Sequence, residues 1–321
     1  MCHLLPHVSV WITAIRIGMN EMFKMPIGLY EKALPEALSW EERLGAAAQA
    51  GYDFVEISID EGQERLSRLD WESSKKLALR RAIENSGVPI MTMCLSANRK
   101  YPLGSHDPSI RQQGQEIIRK AIDFAGEVGL RVVQVMAYDV FYEESDVSTR
   151  DNFLEGLHLA ARWASQAGVM LGIENLDTPF ADSLAKTMEI MKEIDSPWLQ
   201  LYPDIGNLAA AGYSPPDELL LAENHVLGIH VKDSMPNVIR GITYGSGIVP
   251  FRETFMALAE IGFWGLLSVE MWGHMHPDKL PHETAEETYR FVEKIVNDTW
   301  PEHSFKHQMV VSDEENDEFR K

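Results

Sequence analysis

Four short segments of this 321-residue chain hold residues that could do chemistry together: IEN with Glu174, YPDIGN with Asp204, GIHVKD with His230 and SVEMW with Glu270. Each is an apolar, β-branched or aromatic run ending in one carboxylate or imidazole, and successive segments are 30, 26 and 40 residues apart. A strand, a loop, a helix and a return loop take roughly 30 residues. Each segment therefore fits the end of one strand in a repeating βα array, where the C-terminal ends of the strands converge. Two Glu, one Asp and one His at one point make a hard, oxygen-rich site with a single nitrogen, suited to a divalent ion of the manganese, magnesium or zinc kind. Glu270 closes the uncharged run Leu266 to Val269, and a buried charge of that sort needs a partner. One such acid alone reads as a helix cap or a loop hydrogen-bonder; four on successive strand ends are harder to dismiss.

Two glutamates on a shared ion suggest a reaction. A carbonyl and its neighbouring hydroxyl, chelated to the ion, acidify the proton on the carbon alpha to the carbonyl. One carboxylate removes that proton and the other returns it to the opposite face. Inversion at that carbon is the expected outcome, which is the chemistry of an epimerase. Lys232 lies two residues after His230, so both point to the same face of a strand and a fixed cation is expected beside the ion. Glu56 alternates with Ser58 on an earlier strand; it is expected to point inward as a substrate or neighbouring partner, with an internal salt bridge as the alternative.

The elements that must position these residues are legible from residue 25 onward. Strands are expected at 26–30, 52–60, 88–97, 130–139, 169–175, 197–204, 225–233 and 264–272, with helices between them. Ser39 stands three residues before Glu42 as a capping box, and Gly51 closes that helix. Gly87, Gly129 and Gly168 follow later helical stretches in the same way. The stretches 61–71 and 98–109 are polar and read as long loops, 150–167 reads as a helix, and 206–212 as a loop or short helix. Eight strands alternating with helices predict an α/β fold with an all-parallel sheet. Ligands on strands five to eight favour a closed (β/α)8 TIM barrel over an open sheet, whose site would follow the first strand. The expected organisation is a single barrel domain over 25–298, preceded by an extension at 1–24 and followed by an acidic tail at 299–321.

The formal net charge is −20. Residues 301–321 hold six acids and three bases, so the body keeps −17 without them. A body this acidic repels phosphate backbones and anionic membranes, which disfavours nucleic acid and membrane as partners and leaves a small molecule. The two cysteines, Cys2 and Cys94, form no CxxC pair, so a reducing, cytoplasmic setting is the expectation. The apolar run from His7 to Met19 is too short to span a bilayer and has no basic start. Helix faces on such barrels often pair, which makes a homodimer the expected assembly.

From Met25 to about Val296 the chain resembles the L-ribulose-5-phosphate 3-epimerases, also called L-xylulose-5-phosphate 3-epimerases, of the xylose-isomerase-like barrel superfamily. The matching stretches are IGLYEKALP at 27–35, FVEISID at 54–60, RLSRLDW at 65–71, CLSANRKYPLGS at 94–105, YPDIGNL at 202–208, HVKD at 230–233 and VEMW at 269–272. The resemblance implies Glu174, Asp204, His230 and Glu270 as metal ligands, Glu174 and Glu270 as the acid/base pair, and zinc or manganese as the ion. It implies a ketopentose 5-phosphate inverted at C3, in the breakdown of L-ascorbate or related pentoses. The sequence departs from the family pattern at Asn98 and Lys100, at Gly245-Ser246-Gly247, which lacks a central acid, and at Pro250. These bear on substrate contacts and not on the metal site. A substrate phosphate needs donors, and the candidates are Arg68, Arg99, Lys100, Lys232 and the amides of Gly245 and Gly247, since Gly-rich turns can cradle anions. Surface pairing with Asp60, Glu61 and Asp70 is the alternative for Arg65 and Arg68, and Trp272 is a candidate pocket wall. The competing readings are a ketose–aldose isomerase, a 3-epimerase of a non-phosphorylated ketose, an endonuclease IV-like metal nuclease and a non-catalytic barrel. The isomerase and the nuclease would need further His and acidic ligands that the sequence does not offer.

Overall fold

The computed structural model describes residues 25–273 and 279–300; the expected extension at 1–24 and nearly all of the expected tail lie outside the described residues. Eight parallel strands form one sheet: β1 (Ile27–Tyr30), β2 (Phe54–Ile59), β3 (Ile90–Leu95), β4 (Val132–Met136), β5 (Met170–Glu174), β6 (Leu199–Leu201), β7 (Gly228–Val231) and β8 (Leu266–Val269). Their order is β6-β5-β4-β3-β2-β1-β8-β7. The two ends of that order, β6 and β7, meet through the single bridges Leu201↔Val226 and Asp204↔His230, which close the ring into the expected barrel.

The local reasons are visible in the sequence. Strands covered on both sides become continuous apolar runs, and every residue of β1, β2, β4 and β7 is buried. The helix Pro108–Val128 buries Ile117, Ile118, Ala121, Ile122 and Ala125, a helical spacing that lays one apolar stripe on the sheet. Ser39 and Glu42 form a reciprocal capping box on Trp40–Ala50. Gly51, Gly87, Gly129 and Gly168 each end a helix with positive φ, the conformation a C-terminal cap needs. Inside the barrel, Phe54 occupies space that a side chain at position 28 would contest: a Cβ there would stand 2.2 Å from its ring.

Three local expectations need correction. The stretch 61–71 is not an open loop: it coils into Gln63–Leu66 and a 3-10 turn over Ser67–Asp70, because Arg68 is drawn inward onto Glu31 and the Ser58 carbonyl. The helix expected from residue 150 begins at Val147, where Asp146 accepts hydrogen bonds from the amides of Ser148 and Thr149. The loop at 98–109 is shortened at both ends by a 3-10 turn over Ser96–Arg99 and by a helix starting at Pro108.

Candidate active site

The four strand-end residues reach one point by four local devices. Glu174 is the last residue of β5. Asp204 caps the helix Ile205–Ala210, accepting from the Asn207 amide at 2.9 Å. Asn175 clamps Asp204 from the next strand end, accepting from its amide at 2.8 Å and donating to its carbonyl at 3.1 Å. His230 lies within β7, and Glu270 follows β8 with its amide on the Val231 carbonyl at 2.9 Å. One donor atom from each of Glu174, Asp204, His230 and Glu270 lies within 4.8 Å of the others, and all four side chains are buried.

His230 stands between two sets of acids. Its Nε2 is 2.6 Å from Glu56 Oε1. Its Nδ1 is 2.9 Å from Glu174 Oε1, 3.8 Å from Asp204 Oδ2 and 3.9 Å from Glu270 Oε2, with the Gln134 amide nitrogen 3.1 Å away. Lys232 Nζ lies 2.6 Å from both Asp204 Oδ2 and Glu270 Oε2. Burial raises the Asp204 carboxyl to about 7, aided by Glu270 and Glu174 against Lys232 and His230. Burial likewise raises Glu174, opposed by His230. At Glu270 burial is overcome by the Lys232 ammonium and by His230, and the carboxyl falls to about 2. Burial works against the charged forms of His230 and Lys232, but the surrounding carboxylates outweigh it and raise both.

Asp204 Oδ2 is buried without a hydrogen bond; its contact with Lys232 is an ion pair in distance only and is not aligned as a hydrogen bond. Three carboxylates and one imidazole supply a donor set that divalent ions of the manganese or zinc kind accept, so the cluster can hold a metal ion.

A cavity of about 300 Å³ opens over the cluster. Glu174, Glu270, Lys232 and Asn207 are among its lining residues, with Tyr30, Tyr138 and Trp272 as aromatic walls. The rings of Tyr30 and Trp272 meet edge to face at 6.1 Å. Lys32, Arg65, Arg99 and Arg240 add cations from the segments after β1, β2, β3 and β7.

Of the expected substrate contacts, Arg99 and Lys232 face this cavity. Glu56 does not: it is fully buried below it, held by His230, by Thr92 at 2.7 Å and by Tyr202 at 3.2 Å. Arg68 is buried against Glu31, so its donors are not offered to a ligand. The amides of Gly245 and Gly247 both donate to Asp233 Oδ2 at 2.8 Å; that carboxylate occupies the place an anion would take. Lys100 is exposed and is not among the residues lining the cavity. Arg65, for which surface pairing was the alternative, does pair with Asp60 and Glu36 and also lines the cavity. Sequence reasoning missed Asn175, Lys32 and Arg240. Asn175 had a signal, since it directly follows Glu174 in IEN; Arg240 sits in a turn-rich segment with no periodicity to aim it.

Among the described residues no helix is long and apolar enough to cross a membrane. The sequence profile of the xylose isomerase-like TIM barrel family matches residues 44–295. The L-ribulose-5-phosphate 3-epimerase UlaE of Escherichia coli O157:H7 (strain EC4115 / EHEC) is 46% identical over 255 residues, covering 79% of this chain and 90% of that protein. The protein of the same name from Shigella flexneri matches to the same extent. Solved structures with this fold include an L-ribulose 3-epimerase, at TM-score 0.71 and 18% identity over 89% of this chain and 98% of that one. A D-tagatose 3-epimerase-like protein superposes at TM-score 0.71 and 23% identity, over 85% of this chain and 99% of that one. A fold with eight parallel strands, a converging Glu–Asp–His–Glu cluster and this degree of identity lead to one conclusion: the chain is an isomerase that belongs to the xylose isomerase-like TIM barrels and, within them, to the L-ribulose-5-phosphate 3-epimerase family.

Proposed function

We propose that this enzyme inverts C3 of a ketopentose 5-phosphate, interconverting L-ribulose 5-phosphate and L-xylulose 5-phosphate, with a zinc or manganese ion held by Glu174, Asp204, His230 and Glu270. The observation that carries the reading is the convergence of Glu174 and Glu270 with Asp204 and His230 in one buried cluster, with both glutamates lining the cavity. When bound, the ion polarises the substrate carbonyl and lowers the acidity barrier at the neighbouring carbon.

The protein's own groups do the rest. Lys232, 2.6 Å from Glu270 Oε2, holds that carboxylate ionised and ready to accept the C3 proton. Glu174, the other carboxylate lining the cavity, serves the opposite face and exchanges a proton with the carbon there. In the reverse direction the two exchange roles. Trp272 and Tyr30 wall the cavity beside the reacting carbon and limit access of water. Asn175 holds the Asp204 backbone and the Asn207 amide donates to Asp204 Oδ1, so that the carboxylate stays aimed at the cluster. The buried free thiol of Cys94 fits a reducing, cytoplasmic setting.

The test is a deuterium wash-in assay. Either sugar phosphate is incubated in D2O with manganese or zinc, and the C3 proton is followed by NMR. Exchange at C3 with appearance of the epimer, abolished by EDTA and by Glu270→Gln, is expected. No exchange from either sugar phosphate at full metal loading would sink the assignment.

A further inference from the structure

We infer that Asp233 is a positioning residue for Glu270: its buried carboxylate gathers the segment that returns from β7, and Tyr244 on that segment holds the end of β8 from which Glu270 projects. This rests on the function proposed above and goes beyond it, since neither Asp233 nor Tyr244 is among the residues lining the cavity.

Residues 234–249 leave the end of β7 and fold back on themselves. The two ends of the segment meet where the Ile248 amide donates to the Ser234 carbonyl at 2.9 Å. Asp233 stands at that meeting point, 2% exposed. Its Oδ2 accepts from the amides of Gly245 and Gly247, both at 2.8 Å, and its Oδ1 from those of Ser234 at 2.8 Å and Val249 at 3.3 Å. A buried carboxylate is costly unless hydrogen bonds replace its water, and here main-chain amides supply them. The backbone is shaped for that approach. Gly245 has a φ of +81°, and a Cβ at Gly247 would stand 2.2 Å from Asp233 Oδ1 and 2.3 Å from the Ser234 carbonyl oxygen. The turn therefore closes around a carboxylate at 233 and tolerates no side chain at 247.

The closed segment delivers Tyr244, the residue directly before Gly245. Its ring stacks on Phe251 at 6.0 Å with an interplanar angle of 18°, and meets Phe291 edge to face at 6.1 Å. Its hydroxyl lies 2.6 Å from the Val231 carbonyl oxygen and 3.1 Å from the Glu270 carbonyl oxygen. The Glu270 amide donates to the same Val231 carbonyl at 2.9 Å. One amide and one hydroxyl thus tie the last residue of β7 to the residue that follows β8. Because Gly245 is bound to Asp233, a shift of the turn carries the Tyr244 hydroxyl with it. Glu270 has to meet Lys232, the ion and the reacting carbon at once, and a misplacement of about 1 Å is enough to cost roughly 100-fold in rate.

The experiment compares wild type with Asp233→Asn, Gly247→Ala, Tyr244→Phe and the double variant Asp233→Asn/Tyr244→Phe. Asparagine keeps the shape but turns one acceptor into a donor that faces amides. Phenylalanine keeps the stacked ring and removes the hydroxyl alone. Three quantities are read: kcat and KM for L-xylulose 5-phosphate, manganese affinity by calorimetric titration into the ion-free protein, and hydrogen exchange of the amides of 243–249. Each single variant is expected to lower kcat by roughly 10- to 100-fold with KM little changed, and to weaken manganese binding, since Glu270 is a candidate ligand. Asp233→Asn and Gly247→Ala should also speed exchange along the segment. The double variant should lose no more than Asp233→Asn alone, because the two residues act in series. Unchanged kcat and manganese affinity in Tyr244→Phe, or losses that multiply in the double variant, would overturn the inference. So would a fall in stability of Asp233→Asn with kcat and manganese affinity intact, the mark of a purely structural role. A wild type that turns over neither sugar phosphate, while manganese affinity still falls in Tyr244→Phe, would count against the epimerase reading and support the positioning role, so the two failures are distinguishable.

Discussion

Glu56 Oε1 lies 2.6 Å from His230 Nε2, and both side chains are completely buried. The opposite nitrogen, Nδ1, faces Glu174, Asp204 and Glu270. A carboxylate behind a ligating imidazole fixes its tautomer and its ring orientation. Thr92 and Tyr202 in turn fix the carboxylate. Glu56→Gln is therefore expected to weaken divalent-ion affinity by about 10- to 100-fold, read by calorimetric titration of manganese or zinc into the ion-free protein. An unchanged affinity would show that the His230 orientation is set elsewhere.

The two glutamates should separate in an exchange experiment. Glu174→Gln and Glu270→Gln are each expected to reduce epimerisation by roughly 10²- to 10⁴-fold, the range of a positioned acid or base. Each variant should keep some C3 exchange with solvent from one epimer and lose it from the other, with the favoured epimer reversed between them. Ion content is measured alongside, since both residues are candidate ligands. Loss of exchange from both epimers in both variants, with the ion still bound, would contradict a division of labour between faces.

A second buried charge network supports the mouth from below. Glu31 is completely buried and pairs with three arginines, Arg43 at 3.3 Å, Arg65 at 3.6 Å and Arg68, and accepts a hydrogen bond from the Ser58 amide at 2.8 Å. Removing this acid takes away the carboxylate that Arg43 and Arg68 share, while Arg65 keeps Asp60 and Glu36. Glu31→Ala is expected to cost about 3–5 kcal/mol of stability, the scale for breaking a buried ion pair from one side, as read from urea denaturation. A loss below about 1 kcal/mol, the scale of an exposed pair, would mean that solvent reaches the cluster.

His106 ties the segment after β3 to the segment after β4. Its Nε2 is 3.0 Å from Asp146 and its Nδ1 3.2 Å from Glu143. Hydrogen bonds to Asp146 and then Glu143 raise the imidazole above its ordinary value. A histidine raised on folding adds stability that is fully present below the unfolded value, about 6.5, and is lost as pH rises through the folded value. The His106 ring resonance should therefore titrate above about 6.5, and His106→Asn should remove the corresponding fall in stability. A ring that titrates at the ordinary value would show that the two contacts do not persist in solution.

What could be read from the sequence was whatever the chain decides locally or repeats. Ser39 with Glu42 and the glycines at 51, 87, 129 and 168 mark helix ends through their own backbones. The recurrence of strand-end acids and an imidazole marked the barrel and the cluster, because alternation fixes which side a strand residue faces. Side chains whose destination depends on distant partners were not legible. Arg68 is a basic residue in a polar run, and only Glu31, 37 residues earlier, draws it inside. Gly245 and Gly247 form a turn with free amides on paper, and only Asp233 shows that those amides are already used. Glu56 pointed inward as expected, yet its partner is an imidazole on β7, and no spacing within β2 could name it.

The seam between β6 and β7 has a further consequence. Elsewhere in the ring neighbouring strands share ladders, but these two meet at isolated bridges, and one of those bridges joins Asp204 to His230. The weakest join of the barrel is thus the one that two candidate ion ligands straddle. An ion gripped from both sides would act there as a clasp, so the hoop would be fastened by the same element that activates the substrate. Amide hydrogens along 199–204 and 226–231 should then exchange faster after chelation than those of β2 and β3. If the whole barrel loosened evenly instead, fastening and catalysis would be separate jobs.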